Sequence, residues 1–270
     1  MGFNKIINLQ LLIYNKILRI FNFFKLLPEA NRKKINLRIK LDKMDKYFNN
    51  LKLIHNETYC RVDPMPKEEF FSEYYSSNVE EDHKLKQLPI RKRDLEHYDL
   101  IGNLFSEFNK NKISILNFGS GHAGFSILCG LNKHKVTNLD YFINQDILNY
   151  KNMENVTDIK MINEKFDLIY ASHSLEHVRS IKKTFEEFGD ISHENTKFFF
   201  EVPNCFIETK KKIKSTHTYY FTRNFFNNLL PENKYCEAWK KSKRSDDENG
   251  DVIRVFGDLK LNYNFYNKIN

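Results

Sequence analysis

Ile115-Leu-Asn-Phe-Gly-Ser-Gly-His-Ala-Gly-Phe-Ser126, ILNFGSGHAGFS, is the stretch that decides how this chain is read. The apolar run from Ile113 to Phe118 predicts a short buried strand. It breaks at Gly119, Gly121 and Gly124, and apolar residues then resume. Glycine lets the backbone turn sharply and approach a ligand where a side chain would block it. A helix that follows points its first N–H groups at that ligand. Strand, glycine turn and helix in succession predict a nucleotide-type cofactor site in an α/β domain.

The flanking sequence carries the same rhythm. Strands are predicted at 113–118, 135–139, 159–162, 166–171 and 197–202, with helices at 123–132, 144–151, 175–188 and 222–229. Alternation of this kind predicts a parallel sheet covered by helices on both faces. An amphipathic helix over 91–110 precedes it, with Leu95, Tyr98, Ile101, Phe105 and Phe108 on or near one face. Tyr235–Lys240 and Asp251–Phe256, separated by the charged turn Lys241–Gly250, read as a hairpin that adds an antiparallel strand at the sheet edge. Upstream, Pro64 and Pro66 break the chain before a short helix, Lys67–Tyr75. The expected organisation is a basic helical extension over 1–55, a linker or cap over 56–90, and a cofactor-binding domain over 91–270.

The 270 residues carry a net charge of +8, and the excess is local. Residues 1–60 hold twelve Lys or Arg against four Asp or Glu, which accounts for all of it. No basic face runs along the predicted catalytic region, so nucleic acid is not an expected partner. Lys210, Lys211, Lys212 and Lys214 read as a solvated loop. The four cysteines are scattered without a CxxC pair, which argues against a zinc ribbon or a disulfide framework and fits a reduced, cytoplasmic compartment. Lys5, Lys16, Arg19 and Lys25 interrupt residues 3–27, so no run approaches the ~20 apolar residues of a membrane span. No small-residue cleavage site follows. Residues 1–27 read as an amphipathic basic helix ending at Pro28. Such a helix either lies on the anionic inner face of a membrane or packs on its own domain or a partner.

Three further segments bear on the cofactor. Gly119–Gly124 matches GxGxxG, which alone suits NAD. Val136–Asp140 (VTNLD) is a strand ending in a carboxylate nineteen residues after Gly121. A carboxylate there accepts both hydroxyls of a ribose, in NAD or in S-adenosylmethionine (SAM). Glu164–Val178 (EKFDLIYASHSLEHV), however, has no place in a dinucleotide fold, and Lys197–Asn204 (KFFFEVPN) and His217–Thr222 (HTYYFT) follow at plausible spacing.

Together these segments resemble the class I SAM-dependent methyltransferases, in particular the group with an FDLI…LEHV segment and an EVPN…H…FT sequel. Thr58–Ser76 also looks like the linker before the catalytic domain in that group. The resemblance covers roughly 58–230. It implies a Rossmann-like, seven-stranded, mostly parallel sheet with an antiparallel last strand, and SAM as cofactor. It places Gly119, Ser120 and Gly121 at the methionine end of the cofactor, Asp140 at the ribose and Tyr141 beside the adenine. Two departures stand out. Asn117 occupies a position usually acidic in the family, where it accepts a hydrogen bond but adds no charge. Of the zinc ribbon carried by many relatives only Cys60 remains, so no metal is expected.

The catalytic candidates are His177 and His217. SAM is already an activated electrophile, so the enzyme mainly aligns the acceptor. A hydroxyl acceptor must also lose its proton, and an imidazole suits that task. His177 follows the fourth strand, where the sheet edge opens onto substrate. His173 reads as structural, and Glu176 as bracing a helix start. Glu201 and Asn204 are candidates to face the acceptor. Arg91 and Arg93 read as a solvated helix start, with an anionic acceptor as the other reading. His173-Ser-Leu-Glu-His177 also matches the metalloprotease pattern H-x-x-E-H, but a strand runs straight into it where that motif needs a helix. The function read from the sequence is SAM-dependent methyl transfer to a small acceptor, a hydroxyl of a sugar or surface-glycan precursor. A non-catalytic SAM-binding subunit and an NAD-dependent oxidoreductase stand as alternatives.

Overall fold

The structure, a computed structural model, describes residues 51–67, 69, 71, 90–141, 150, 152–204, 216–240, 243–245 and 251–269. The expected interfacial helix over 1–27, the helix over 144–151 apart from Tyr150, and the Lys210–Lys214 cluster lie outside these residues, as does most of the helix predicted at 67–75.

Two sheets are described. The small one is antiparallel, in the order β1 (Lys52–His55), β2 (Tyr59–Asp63), β8 (Tyr219–Phe221). The helix expected through residue 55 is therefore replaced by a strand at 52–55. Cys60, Val62 and Tyr220 form a buried cluster with Leu51 and Leu53 packed on it, which the antiparallel pairing of β1 with β2 holds in place.

The large sheet is built on β3 (Ser114–Phe118), β4 (Lys135–Leu139), β5 (Met153–Val156), β6 (Phe166–Ser172) and β7 (Ser192–Pro203), which are parallel. β9 (Asn233–Lys240) and β11 (Val252–Asp258) add the expected antiparallel hairpin, and the three-residue β10 (Lys243–Ser245) extends the edge. The order is β10-β9-β11-β7-β6-β3-β4-β5. Seven strands thus match the expected sheet, with β10 as an addition. Strand order reverses between β3 and β6. In open α/β sheets that reversal leaves a crevice at the C-terminal ends of the two strands, which is where ligands bind.

The central strands read as continuous apolar runs because helices cover both faces. Phe198, Phe199 and Phe200 on β7 are all fully buried. Each contributes roughly 1.5–3 kcal/mol of burial free energy relative to exposure. Phe199 faces a cluster with Ile101, Phe125 and Tyr170, whereas Phe198 and Phe200 face one with Phe185, Phe188 and Phe225.

Three expected elements are corrected. The helix over 91–110 is two, α1 (Lys92–Leu104) and α2 (Ser106–Lys110), broken at Phe105, whose backbone is extended. The strand expected at 159–162 is a 3-10 turn over Ile159–Met161, capped by the Asp158 side chain accepting from Lys160 N–H at 2.9 Å; β5 lies upstream. The helix expected from 175 begins only at α4 (Ile181–Asp190), where Ser180 accepts from Lys183 N–H and supplies the N-cap that Ser174 does not. Leu175–His177 is a 3-10 turn. α3 (Gly124–Leu131) and α5 (Arg223–Leu229) lie where expected.

Candidate active site

The crevice between β3 and β6 holds a cavity of about 220 Å³. On one side is the glycine turn. Gly119 and Gly121 have φ of +68° and +50°, a region that L side chains rarely adopt. At Gly119 there is a second constraint: a Cβ would stand 2.4 Å from Ser174 Cβ. The two turns that close the crevice thus touch at this point, and Ser174 Oγ adds a hydrogen bond to Phe118 O at 2.8 Å. Around Gly121 an added Cβ would meet nothing within 4 Å, so this face is open. Gly119 N–H donates to Leu139 O at 2.8 Å, tying the turn to the end of β4.

Asp140 completes that tie. Its Oδ2 accepts from Gly121 N–H at 2.7 Å, so the carboxylate expected at a ribose also fixes the glycine turn. The adjoining Tyr141 is 46% exposed, a large ring left at the surface beside the turn. Asn117 is buried and donates to Ser126 Oγ at 2.7 Å; Ser126 in turn donates to Asn138 Oδ1 at 2.5 Å. A carboxylate at 117 would have to accept from Ser126, so the amide runs this chain of hydrogen bonds in one direction.

Arg91, Arg93 and Asp94, at the start of α1, line the same cavity. Arg91 and Arg93 are not the solvated helix start read from sequence. The Nε of each is buried without a hydrogen-bond partner among the described residues. Burial, and then the neighbouring Arg93, press the Arg91 pKa down. Two guanidinium groups at a cavity wall with unused donors fit a negatively charged group on a ligand.

The opposite wall is built around charge. Glu201, near the end of β7, is 1% exposed. Its Oε2 lies 2.7 Å from His97 Nε2 and 2.6 Å from Arg254 Nε; its Oε1 lies 3.2 Å from His173 Nε2. Burial raises its pKa, but His97 and His173 more than offset this and hold it ionised, well below the usual range. His97 is fully buried, and burial keeps its pKa low despite Glu201. The neutral ring donates from Nε2 to Glu201 and accepts the Tyr170 hydroxyl at Nδ1, 2.8 Å away. Arg254 stacks 4.2 Å over Trp239 and reaches Glu96.

His173 lines the cavity and has φ +54°, a conformation unusual for a non-glycine residue. Burial works to lower its pKa, but Glu176 and Glu201 carry it up to about 9. It is therefore an imidazolium, with Nδ1 3.2 Å from Glu176 Oε1 and the other nitrogen on Glu201. An imidazolium so held braces the wall and is no base, in keeping with its structural reading.

Glu176 does not brace a helix start, because no helix begins there. It is buried in the 3-10 turn, 3.8 Å from His177 Nε2. Burial drives the His177 pKa down to about 4, so its ring is neutral; Nδ1–H donates to Thr216 O at 2.7 Å, which places the lone pair on Nε2. His217 meets His177 edge to face, with ring centroids 4.8 Å apart. The structure thus brings the two catalytic candidates together, but neither lines the cavity; His173 does. Asn204 is buried in a bridge to Phe221. The sequence reading missed His97 and Arg254 altogether. His97 lies on a predicted helix and Arg254 on a predicted strand, and neither sits in a motif.

A family model described as a methyltransferase domain matches residues 82–242. No curated protein sequence matches the chain. Among solved structures, the Burkholderia thailandensis 1,6-didemethyltoxoflavin-N1-methyltransferase, with bound 1,6-didemethyltoxoflavin and S-adenosylhomocysteine, is similar over 77% of this chain and 98% of its own, at 12% identity and TM-score 0.50. A SAM-dependent methyltransferase from Aquifex aeolicus covers 65% of this chain and 100% of its own, at 15% identity and TM-score 0.44. The family match spans more than half of the sequence, and the sheet order and the glycine turn at its switch point agree with it: the chain belongs to the methyltransferase domain family and has the class I SAM-dependent methyltransferase fold.

Proposed function

We propose that this enzyme transfers the methyl group of SAM to a hydroxyl of a small acceptor, a sugar or surface-glycan precursor. The observation that carries the donor half is the cavity at the strand reversal, lined by two positive-φ glycines and by two half-buried arginines whose Nε atoms are buried and unpaired among the described residues. The arginines fit the amino-acid end of SAM, whose carboxylate supplies the negative charge, and the open face at Gly121 lets that end approach the backbone. At about 220 Å³ the cavity is below the usual 300–1,000 Å³ of ligand sites. It has room for that end, with the adenosine continuing past Asp140 and the exposed ring of Tyr141.

The acceptor half rests on the histidine edge beyond β6. SAM carries its own leaving group, so alignment of the acceptor oxygen with the methyl supplies most of the catalysis. The oxygen must also give up a proton, and the imidazoles of His177 and His217 meet where the sheet edge opens. The test is release of S-adenosylhomocysteine from methyl-labelled SAM across a panel of sugars and nucleotide sugars. Label recovered in an alkali-stable methyl ether supports the reading. Label found only on nitrogen, or no acceptor-dependent release from any saccharide, overturns the acceptor half.

A further inference from the structure

Glu176 is the buried carboxylate in the turn after β6; its Oε1 has the His173 imidazolium as a close neighbour, and its Oε2 has no hydrogen-bond partner among the described residues. It is 1% exposed, and a carboxylate in that state ordinarily finds donors or a cation. His173 Nδ1 stands near Oε1, yet that ring is shared with Glu201. On its other side Glu176 meets two imidazoles from separate segments, His177 beside it in sequence and His217 just before β8. One donor atom from each of the three side chains lies within 4.8 Å of the others.

Three features make this arrangement a site. The His177 Nδ1–H donates to the Thr216 carbonyl, which directs Nε2 toward Glu176. Metal-ligating histidines are oriented in this way, by a backbone carbonyl on the other ring nitrogen. The segments carrying the ligands are themselves fastened: Thr218 N–H donates to Glu176 O at 2.7 Å, and Thr218 Oγ1 donates to Val178 O at 2.6 Å. The spacing also suits a metal. A tetrahedral ion with bonds of about 2.1 Å needs donors about 3.4 Å apart, and His177 Nε2 and Glu176 Oε1 stand at 3.8 Å.

We propose that Glu176, His177 and His217 bind a divalent metal ion, and that the donor set selects zinc. Two imidazole nitrogens and one carboxylate oxygen are the ligands of open zinc sites, which leave a fourth position for water or an acceptor oxygen. The ion joins the turn after β6 to the segment before β8. It is not the metalloprotease site that H-x-x-E-H would make, because His173 is held by two carboxylates and the third ligand comes from residue 217. It also replaces the expectation of no metal, and makes His177 and His217 ligands where the sequence reading had them as bases.

The test is equilibrium zinc titration of the full chain after chelator treatment, in competition with a chromophoric chelator and without methyl donor. The result therefore does not depend on the cofactor reading. The proposal expects one equivalent of tightly bound zinc in the wild type. It expects an affinity at least a hundredfold weaker in Glu176→Gln, His177→Ala and His217→Ala, each with a wild-type far-UV circular dichroism spectrum. His193→Ala, at a distant exposed histidine paired with Asp167, should bind as the wild type does. Absence of stoichiometric zinc from the wild type overturns the proposal without any variant. Unchanged affinity in the three ligand variants, or loss in His193→Ala, overturns it as well.

Discussion

The two walls of the cavity are held by opposite means. The glycine turn is held by backbone: positive φ at Gly119 and Gly121, N–H groups donated to Leu139 O and Asp140, and a contact with Ser174 that leaves no room for a methyl group. The histidine edge is held by buried charge: Glu201 between His97, His173 and Arg254, with Glu176 beyond. One wall comes from a contiguous stretch and the end of the next strand, with Ser174 packed against it. The other is assembled from four separate segments that meet only in the fold. A wall made of backbone geometry fails when a side chain is added. A wall made of buried ions fails when one is removed.

The largest expected effect is at the charged wall. Glu201→Ala leaves Arg254 buried without its nearest carboxylate and removes the partner of two histidines. Breaking a buried pair from one side costs about 3–5 kcal/mol. Denaturant unfolding should show a loss of that size, and a loss below ~1 kcal/mol would mean the charges do not hold this wall. Next comes the backbone wall. Gly119→Ala should destabilise by about 1–3 kcal/mol through overpacking against Ser174, and should abolish cofactor binding in a calorimeter. Gly121→Ala has open space around it, so it should cost only the strain of its φ, about 1–2 kcal/mol. Equal losses at the two glycines would remove the Ser174 contact from the account. The smallest effect is at Asp140. Asp140→Ala should weaken SAM at least tenfold, about 1.4 kcal/mol, with the fold intact. Asp140→Asn keeps an acceptor for Gly121 N–H and so separates bracing of the turn from contact with the ligand. Affinity unchanged in both variants would confine Asp140 to the end of its strand.

The difference between the walls also explains what the sequence could reveal. Gly119, Gly121 and Asp140 were legible because local conformation and spacing decide them. The parallel strands were legible for a similar reason: buried central strands have continuous apolar runs, as in Phe166–Ser172 and Phe198–Phe200. The strand at 52–55 was hidden by its lysine and by a partner sheet that exists only through β8. The turn over 175–177 was read as helix because its apolar spacing resembles one, whereas the cap that starts the helix is Ser180. Glu201 was seen as a candidate, but its partners His97 and Arg254 lie 104 residues before and 53 after it, and no local pattern joins them. The place after the fourth strand and imidazole chemistry single out His177, with His217 as a second candidate base; only the fold shows that both rings meet beside Glu176 rather than at the cavity wall.

The central claim is that the glycine turn is a SAM site. Titration calorimetry of the full chain with S-adenosylhomocysteine, and separately with NAD, tests it most directly. The account predicts one equivalent of S-adenosylhomocysteine bound, a melting temperature that rises with its concentration, and no response to NAD. Binding of NAD with no response to S-adenosylhomocysteine would contradict it.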